Sequence, residues 1–275
     1  MPARPASSRP ADRDPNDLGR AFRLRLQGSD VLLGGMVLEY LRPALVKIYA
    51  RAGFDFIYVE KEHAFLEGPG LADFVLCARD NGLPVISKVG ELNRAEVARL
   101  LEAGVVGIQL PRTQRREDLL TLVDYVKFPP VGSRAGAPCY GNADYAWPAD
   151  HRRWLRGANQ ATLVVAHIET VAGYENVEAI VTTPHVDMVY VGPYDFSISL
   201  GHPGEYDHPE VRQAMRRILQ VCRRHNVPFG TTASGARAAA RWVKAGCRFF
   251  EVVDEISLID AGARRTVQEY RARFQ

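Results

Sequence analysis

Lysine is scarce in this chain. Of 35 basic residues only Lys47, Lys61, Lys88, Lys127 and Lys244 are lysines, and all the others are arginines. A skew of that kind reflects genome composition more than mechanism, so any lysine in a suggestive place stands out. Cysteine is also sparse. Cys77, Cys139, Cys222 and Cys247 lie far apart without a C-x-x-C pair, which argues against a disulfide framework or a structural zinc site and suits a reducing cytosol. No apolar run approaches the length of a membrane span. Residues 1–18, rich in Pro, Ala and Arg, lack the apolar middle of a secretory signal and read as a disordered tail. The net charge of +3 is too balanced for a nucleic-acid binder. No G-x-G-x-x-G follows the first apolar run, which removes the simplest dinucleotide-binding reading.

What remains is a chain with a 47% hydrophobic composition, enough to build a core. Apolar, β-branched runs at 31–37, 56–59, 84–89, 106–110, 163–168, 188–191, 228–232 and 249–253 alternate with segments of helical period. Near-continuous apolar runs fit parallel strands covered on both faces. Three helix ends repeat one pattern: Ala52-Gly53-Phe54, Ala103-Gly104-Val105 and Ala245-Gly246-Cys247 each lead into a strand. Glycine after a helix accepts the left-handed conformation that stops it. Asn93 with Glu96 has the spacing of a capping box, and Val211, Met215, Ile218, Leu219 and Cys222 form one apolar helix stripe. Eight such units predict a single (β/α)8 TIM barrel over residues 19–275. Gly230-Thr-Thr-Ala-Ser-Gly235 reads as a helix start capped by Ser234, with a phosphate cradle as the alternative. The long connection at 128–159, carrying Tyr145, Trp147 and Trp154, reads as functional or interfacial.

In such a barrel the chemistry gathers where strands end. There the chain places Glu60-Lys61-Glu62-His63, Ser87-Lys88, Pro111-Arg112, His167-Ile168-Glu169-Thr170 and Gly192-Pro-Tyr194-Asp195. Each has a bland explanation as a helix cap or solvated turn, but five polar clusters at one end of consecutive strands favour a site. Glu169 and Asp195 end adjacent strands, and two carboxylates with room for water suit a hard cation such as Mg2+ or Mn2+. Glu60, three residues before His63, is positioned to hold that imidazole in one tautomer as a general base. His167 and Glu169 share a face of their strand.

Val59-Glu-Lys-Glu-His63, Ile168-Glu169-Thr and Gly192-Pro-Tyr-Asp-Phe-Ser197, with Pro129-Pro-Val-Gly-Ser-Arg134, resemble the HpcH/HpaI family of metal-dependent pyruvate aldolases, over roughly residues 20–273. The resemblance implies a barrel that exchanges its terminal helix between paired subunits and assembles as a homo-oligomer, dimer-based and up to a hexamer. It implies a cytoplasmic enzyme whose partners are a small 2-oxo acid and an aldehyde, with no nucleic acid or membrane. By position, Glu169 and Asp195 match the metal ligands, His63 the catalytic histidine and Glu60 its acidic partner. The Tyr194 N–H falls beside the substrate carboxylate. The implied reaction is retro-aldol cleavage of a 2-oxo-4-hydroxy acid through a pyruvate enolate.

The chain departs from the family where Lys88 replaces an arginine, His167 a glutamine and Glu60 the usual aspartate, and Arg112 adds a charge after the fourth strand. Lys88, His167, Tyr194, Asp195 and Arg112 are therefore the expected substrate contacts, with Lys88 also a catalytic candidate. A Schiff-base aldolase using a desolvated Lys88 is one alternative. Others are condensation of the enolate with an oxo acid or acyl group, and a scaffold barrel without catalysis.

Overall fold

The computed structural model describes residues 14–233 and 235–274. Eight parallel strands close into one barrel in sequential order, β1 to β8. After α1 (Asp17–Leu26), β1 (Leu32–Val37) leads to α2 (Pro43–Ala52), and β2 (Phe56–Val59) to α3 (Pro69–Asp80). β3 (Val85–Lys88) leads to α4 (Arg94–Ala103), and β4 (Gly107–Leu110) to α5 (Arg116–Val126) and α6 (His151–Ala161). β5 (Leu163–Ile168) is followed by α7 (Val171–Glu175) and α8 (Val177–Val181), and β6 (Met188–Val191) by α9 (Pro193–Ser199) and α10 (Pro209–Arg224). β7 (Phe229–Thr232), α11 (Ala236–Ala245), β8 (Phe249–Asp254) and α12 (Glu255–Phe274) complete the chain. Every strand falls within one residue of its expected limits. Gly53, Gly104 and Gly246 stop α2, α4 and α11 with φ of 91°, 102° and 113°. The five stripe residues of α10 are all buried.

The two-residue period of a strand sorts the side chains. Ile57, Val59, Val85, Val164, Ala166, Val189 and Phe250 belong to the core between strands and helices. Phe56, Tyr58, Ile86, Val165, Met188, Tyr190 and Phe249 form a second cluster inside the barrel. Small residues leave room for its rings: a Cβ on Gly34 would stand 2.1 Å from the Phe56 ring, and one on Gly230 would stand 2.6 Å from Phe249. Phe22 and Leu26 of α1 join this inner cluster, so α1 caps the barrel at the end where the strands begin. That corrects the expected limit of the N-terminal tail. Asn16 is already buried and Asp14 binds Arg20, so ordered structure begins before residue 18. Residues 1–13 lie outside the described residues, as does Ser234 with the cap assigned to it.

The connection at 128–159 joins α5 to the start of β5 and packs by the same end. Trp154 and Phe128 lie 5.5 Å apart in a small core with Ala143 and Ala158, and α6 packs against α1. None of its residues lines the large cavity. Its tryptophan was legible, but which end of the barrel it covers was not. The capping box is half realised. Asn93 Oδ1 accepts the Ala95 and Glu96 N–H groups at 3.0 and 3.1 Å, while the Glu96 carboxylate turns to Lys61 at 2.5 Å.

Two features set the last helices apart. α11 buries no residue. In α12 only Glu255 is buried, and its Oε1 accepts the N–H groups of Leu38, Glu39 and Tyr40 at 2.9, 2.6 and 3.0 Å. Ile256, Leu258, Ile259, Val267, Tyr270 and Phe274 of α12 are exposed.

Candidate active site

Continuing the inward period past the apolar layer gives a polar one. After Phe56 and Tyr58 comes Glu60; after Ile86, Lys88; after Val165, His167 and Glu169; after Phe249, Glu251. Together with Gly192, Tyr194 and Asp195 from the start of α9, these line a cavity of about 1110 Å³. The register pairs Lys88 with Gln109 and His167 with Tyr190, which brings residues far apart in sequence to one level.

Lys88 is buried and clamped between two carboxylates, with Nζ 2.9 Å from Glu60 Oε2 and 2.7 Å from Glu62 Oε2. Burial alone would lower the lysine pKa, but the two adjacent carboxylates outweigh it and raise the value, so the ammonium stays charged. A Schiff-base lysine needs the opposite shift. The clamp therefore removes the condition on which that alternative rested.

Glu60 does not hold the His63 ring, which corrects the expected pairing. Its Oε2 is engaged by Lys88 and by the Tyr58 hydroxyl at 3.2 Å. Its Oε1 accepts the backbone N–H groups of Glu62 and His63 at 2.6 and 3.2 Å. Saturated in this way, it fixes the turn carrying His63 rather than the imidazole. The ring is 65% exposed at the cavity rim, and the carboxylate beside it is Glu62, 3.5 Å from Nε2.

Glu169 is buried, with Oε1 accepting the Arg112 N–H at 2.7 Å and Oε2 3.1 Å from His167 Nε2. That second approach lacks hydrogen-bond alignment, for His167 Nε2 has no partner. On its other side His167 Nδ1 lies 3.2 Å from the Gln109 side-chain nitrogen. Burial, reinforced by the charge on Lys88, pushes the His167 pKa well below its ordinary value and keeps the ring neutral. Burial raises Glu169 to about 7, with Glu62 and Asp195 adding repulsion. Space matters here: a Cβ on Gly192 would stand 2.3 Å from His167 Nε2 and 3.1 Å from Glu169 Oε2. In α9 the first intrahelical bond runs from the Phe196 N–H to the Gly192 carbonyl at 3.1 Å. The preceding amides of Tyr194 and Asp195 are thus left for another acceptor.

Arg112 is not brought into the cavity. It adopts φ 49°, gives its backbone N–H to Glu169, and its exposed side chain borders a separate recess of about 230 Å³ with Glu62 and Asp118. Conversely, the structure adds Glu251, which the sequence motifs do not single out. It is 2% exposed, its Oε1 has no partner, and burial raises its pKa to about 8. The signal was a lone acid at an inward position of the apolar run Phe249-Phe-Glu-Val. Tyr58 and Tyr190, the latter bonded to Thr232 Oγ1 at 2.5 Å, complete this polar floor.

Chemistry-bearing side chains thus converge at the end of the barrel where enzymes of this architecture work, and the chain is a (β/α)8-barrel enzyme. Comparison supplies the rest. The HpcH/HpaI aldolase/citrate lyase family model matches residues 35–261, and the chain belongs to that family. It is 30% identical over 226 residues to a hydroxypyruvate/pyruvate aldolase of Chromohalobacter salexigens, covering 82% of this chain and 88% of the relative. A 5-keto-4-deoxy-D-glucarate aldolase of Salmonella arizonae is 24% identical over 250 residues, 91% of this chain and 96% of the relative. Among solved structures, an HpcH/HpaI aldolase from Desulfitobacterium hafniense superposes with a TM-score of 0.86 at 27% identity, over 90% of this chain and 96% of that one. No helix among the described residues is long and apolar enough to cross a membrane.

Proposed function

We propose that the chain catalyses the reversible aldol cleavage of a 2-oxo-4-hydroxy acid to pyruvate, or a related 2-oxo acid, and an aldehyde. The observation that carries this is the buried Glu169 in one cavity with Asp195 and with Lys88, whose ammonium two carboxylates hold charged. Two carboxylates lining one cavity, with Glu169 Oε2 lacking an aligned donor, fit a divalent cation, and Gly192 keeps the space beside Glu169 open. Glu169 and Asp195 would hold Mg2+ or Mn2+, and the ion would supply Lewis acidity for the 2-oxo group and the charge that develops on it.

The chain's own groups do the rest. Lys88 has three N–H donors, two engaged by Glu60 and Glu62, and the third is available to an oxygen of the 2-oxo acid. The Tyr194 amide heads α9 and suits the substrate carboxylate. His167, held neutral, offers Nε2 at the same level. His63, at the rim beside Glu62, lies where the 4-hydroxyl proton leaves and returns. Cleavage of C3–C4 releases the aldehyde toward the open side.

Subunits pair through α12 on this reading. Its exposed apolar side chains and the unburied α11 are surfaces that a second copy of the chain would cover. The four free cysteines agree with a cytoplasmic enzyme. Product analysis after incubating the purified chain with pyruvate, Mg2+ or Mn2+ and a panel of aldehydes tests the proposal. New 2-oxo-4-hydroxy acids are expected, absent with Glu169→Gln; no carbon–carbon bond formation across the panel would refute it.

A further inference from the structure

A second group of ligating side chains lies outside the site just described. The loop from α9 to α10 reads Gly201-His-Pro-Gly-Glu-Tyr-Asp-His208, so His202, Glu205 and His208 are spaced three residues apart. Two successive tight turns give that spacing its meaning. The Glu205 N–H donates to the His202 carbonyl at 3.0 Å, and the His208 N–H donates to the Glu205 carbonyl at 2.9 Å. With Gly204 at φ 76°, the first is a reverse turn, and each turn returns residue i+3 beside residue i, so the three side chains follow one another. The loop is also anchored at its base. The His202 N–H donates to the Ser197 carbonyl at 2.8 Å and the Gly204 N–H to the buried Ser197 Oγ at 2.9 Å.

The result is that one ligand atom from each of the three side chains lies within 4.8 Å of the others. The imidazoles of His202 and His208 stack with centroids 3.4 Å apart and planes 21° from parallel. Stacking holds the two rings side by side, and turning them out of the stack lets each present a nitrogen to one ion. Tetrahedral ligands at bonds of ~2.0 Å are ~3.3 Å apart, so small side-chain rotations suffice. A fourth group stands at hand, Glu210 Oε2, 2.9 Å from His202 Nε2.

We propose that His202, Glu205 and His208 form a binding site for a borderline divalent cation of the Zn2+ type, separate from Glu169 and Asp195. Two imidazoles and a carboxylate select such an ion over Mg2+, which prefers oxygen ligands. The ion replaces the proton now shared by His202 Nε2 and Glu210. Binding through His208 Nε2 sends the ring proton to Nδ1, at the loss of its 3.3 Å contact with the Glu210 N–H. Glu205, Tyr206 and Asp207 line the same large cavity as Tyr194 and Asp195, so an ion here stiffens part of its wall.

Zn2+ titration of the full chain, by calorimetry and competition with a chromophoric chelator, tests this. His202→Leu and Glu205→Gln are made in the wild type and in the Glu169→Gln/Asp195→Asn background, which removes the other carboxylate pair. Each loop variant is expected to lose one Zn2+ per chain, or to weaken that ion at least ~10-fold, in both backgrounds. Mg2+ binding by the loop variants in the wild-type background stays unchanged. In the wild type the ring-proton NMR signals of His202 and His208 should shift together at one equivalent of site occupancy. Equal Zn2+ stoichiometry and affinity in the loop variants, or ring signals that do not move, would overturn the assignment.

Discussion

Replacing Lys88 with methionine keeps an unbranched side chain, one heavy atom shorter, and removes its charge. Nζ sits 2.9 and 2.7 Å from two carboxylates, and the lysine side chain is only 5% exposed. Charge-assisted hydrogen bonds contribute about 1.5–3 kcal/mol each, and breaking a buried ion pair costs about 3–5 kcal/mol because the partner charge is left uncompensated. Glu62 is 18% exposed and can take up water from the cavity, which pulls the expected cost to the lower end, about 3 kcal/mol. For a chain of this size that corresponds to a fall in Tm of roughly 6–12 °C. Urea and thermal unfolding of Lys88→Met, Glu62→Gln and the double variant measure it. The double variant should be less destabilised than the sum of the singles by about 1 kcal/mol or more, since it removes one of the stranded charges. A Lys88→Met cost below about 1 kcal/mol, or strict additivity, would refute the clamp.

Three further expectations follow from the geometry. The raised pKa of Glu251 means that the folded chain retains a proton the unfolded chain has lost, so this group costs stability as pH rises from about 4.5 to about 8. Glu251→Gln should flatten the decline, gaining on the wild type by up to about 4 kcal/mol between pH 5 and 9; parallel stability curves would contradict it. Gly192→Ala pushes a methyl into His167 and Glu169, and should lower kcat/KM about 100-fold; activity within a few-fold of wild type would mean the pocket is slack. On the proposed pairing through α12, Ile259→Asp on its exposed face should lower the mass of the assembly toward that of one chain in light scattering. An unchanged mass would show that α12 is not the pairing element.

Legibility in the sequence followed physical periodicity. The eight strands could be read because burial on both faces writes continuous apolar runs, and the glycine stops of α2, α4 and α11 marked where each unit turned. Strand-end residues such as Lys88, His167 and Glu169 could be assigned to one rim by the barrel's geometry alone. Side-chain direction within loops could not. Glu60 and Glu62 both precede His63, and only the fold reveals that Glu60 is consumed by amides and Lys88 while Glu62 faces the ring. Arg112 follows the end of its strand, but after a left-handed backbone step it borders a separate recess. Glu251 was hidden by its apolar neighbours, although its inward parity matched that of Phe249. The aromatic connection at 128–159 carried a real packing signal, yet nothing in its composition says which end of a barrel it covers.

On the proposed function, Glu169 and Asp195 support formation of an enolate from a 2-oxo acid. Proton NMR of pyruvate in deuterium oxide, with the purified chain and Mg2+ or Mn2+, reads that step without any aldehyde present. The methyl signal should be lost through deuterium exchange, stop on addition of EDTA, resume when the metal is restored, and fail in Asp195→Asn. A methyl signal that persists with metal present, or exchange indifferent to EDTA, would contradict the account.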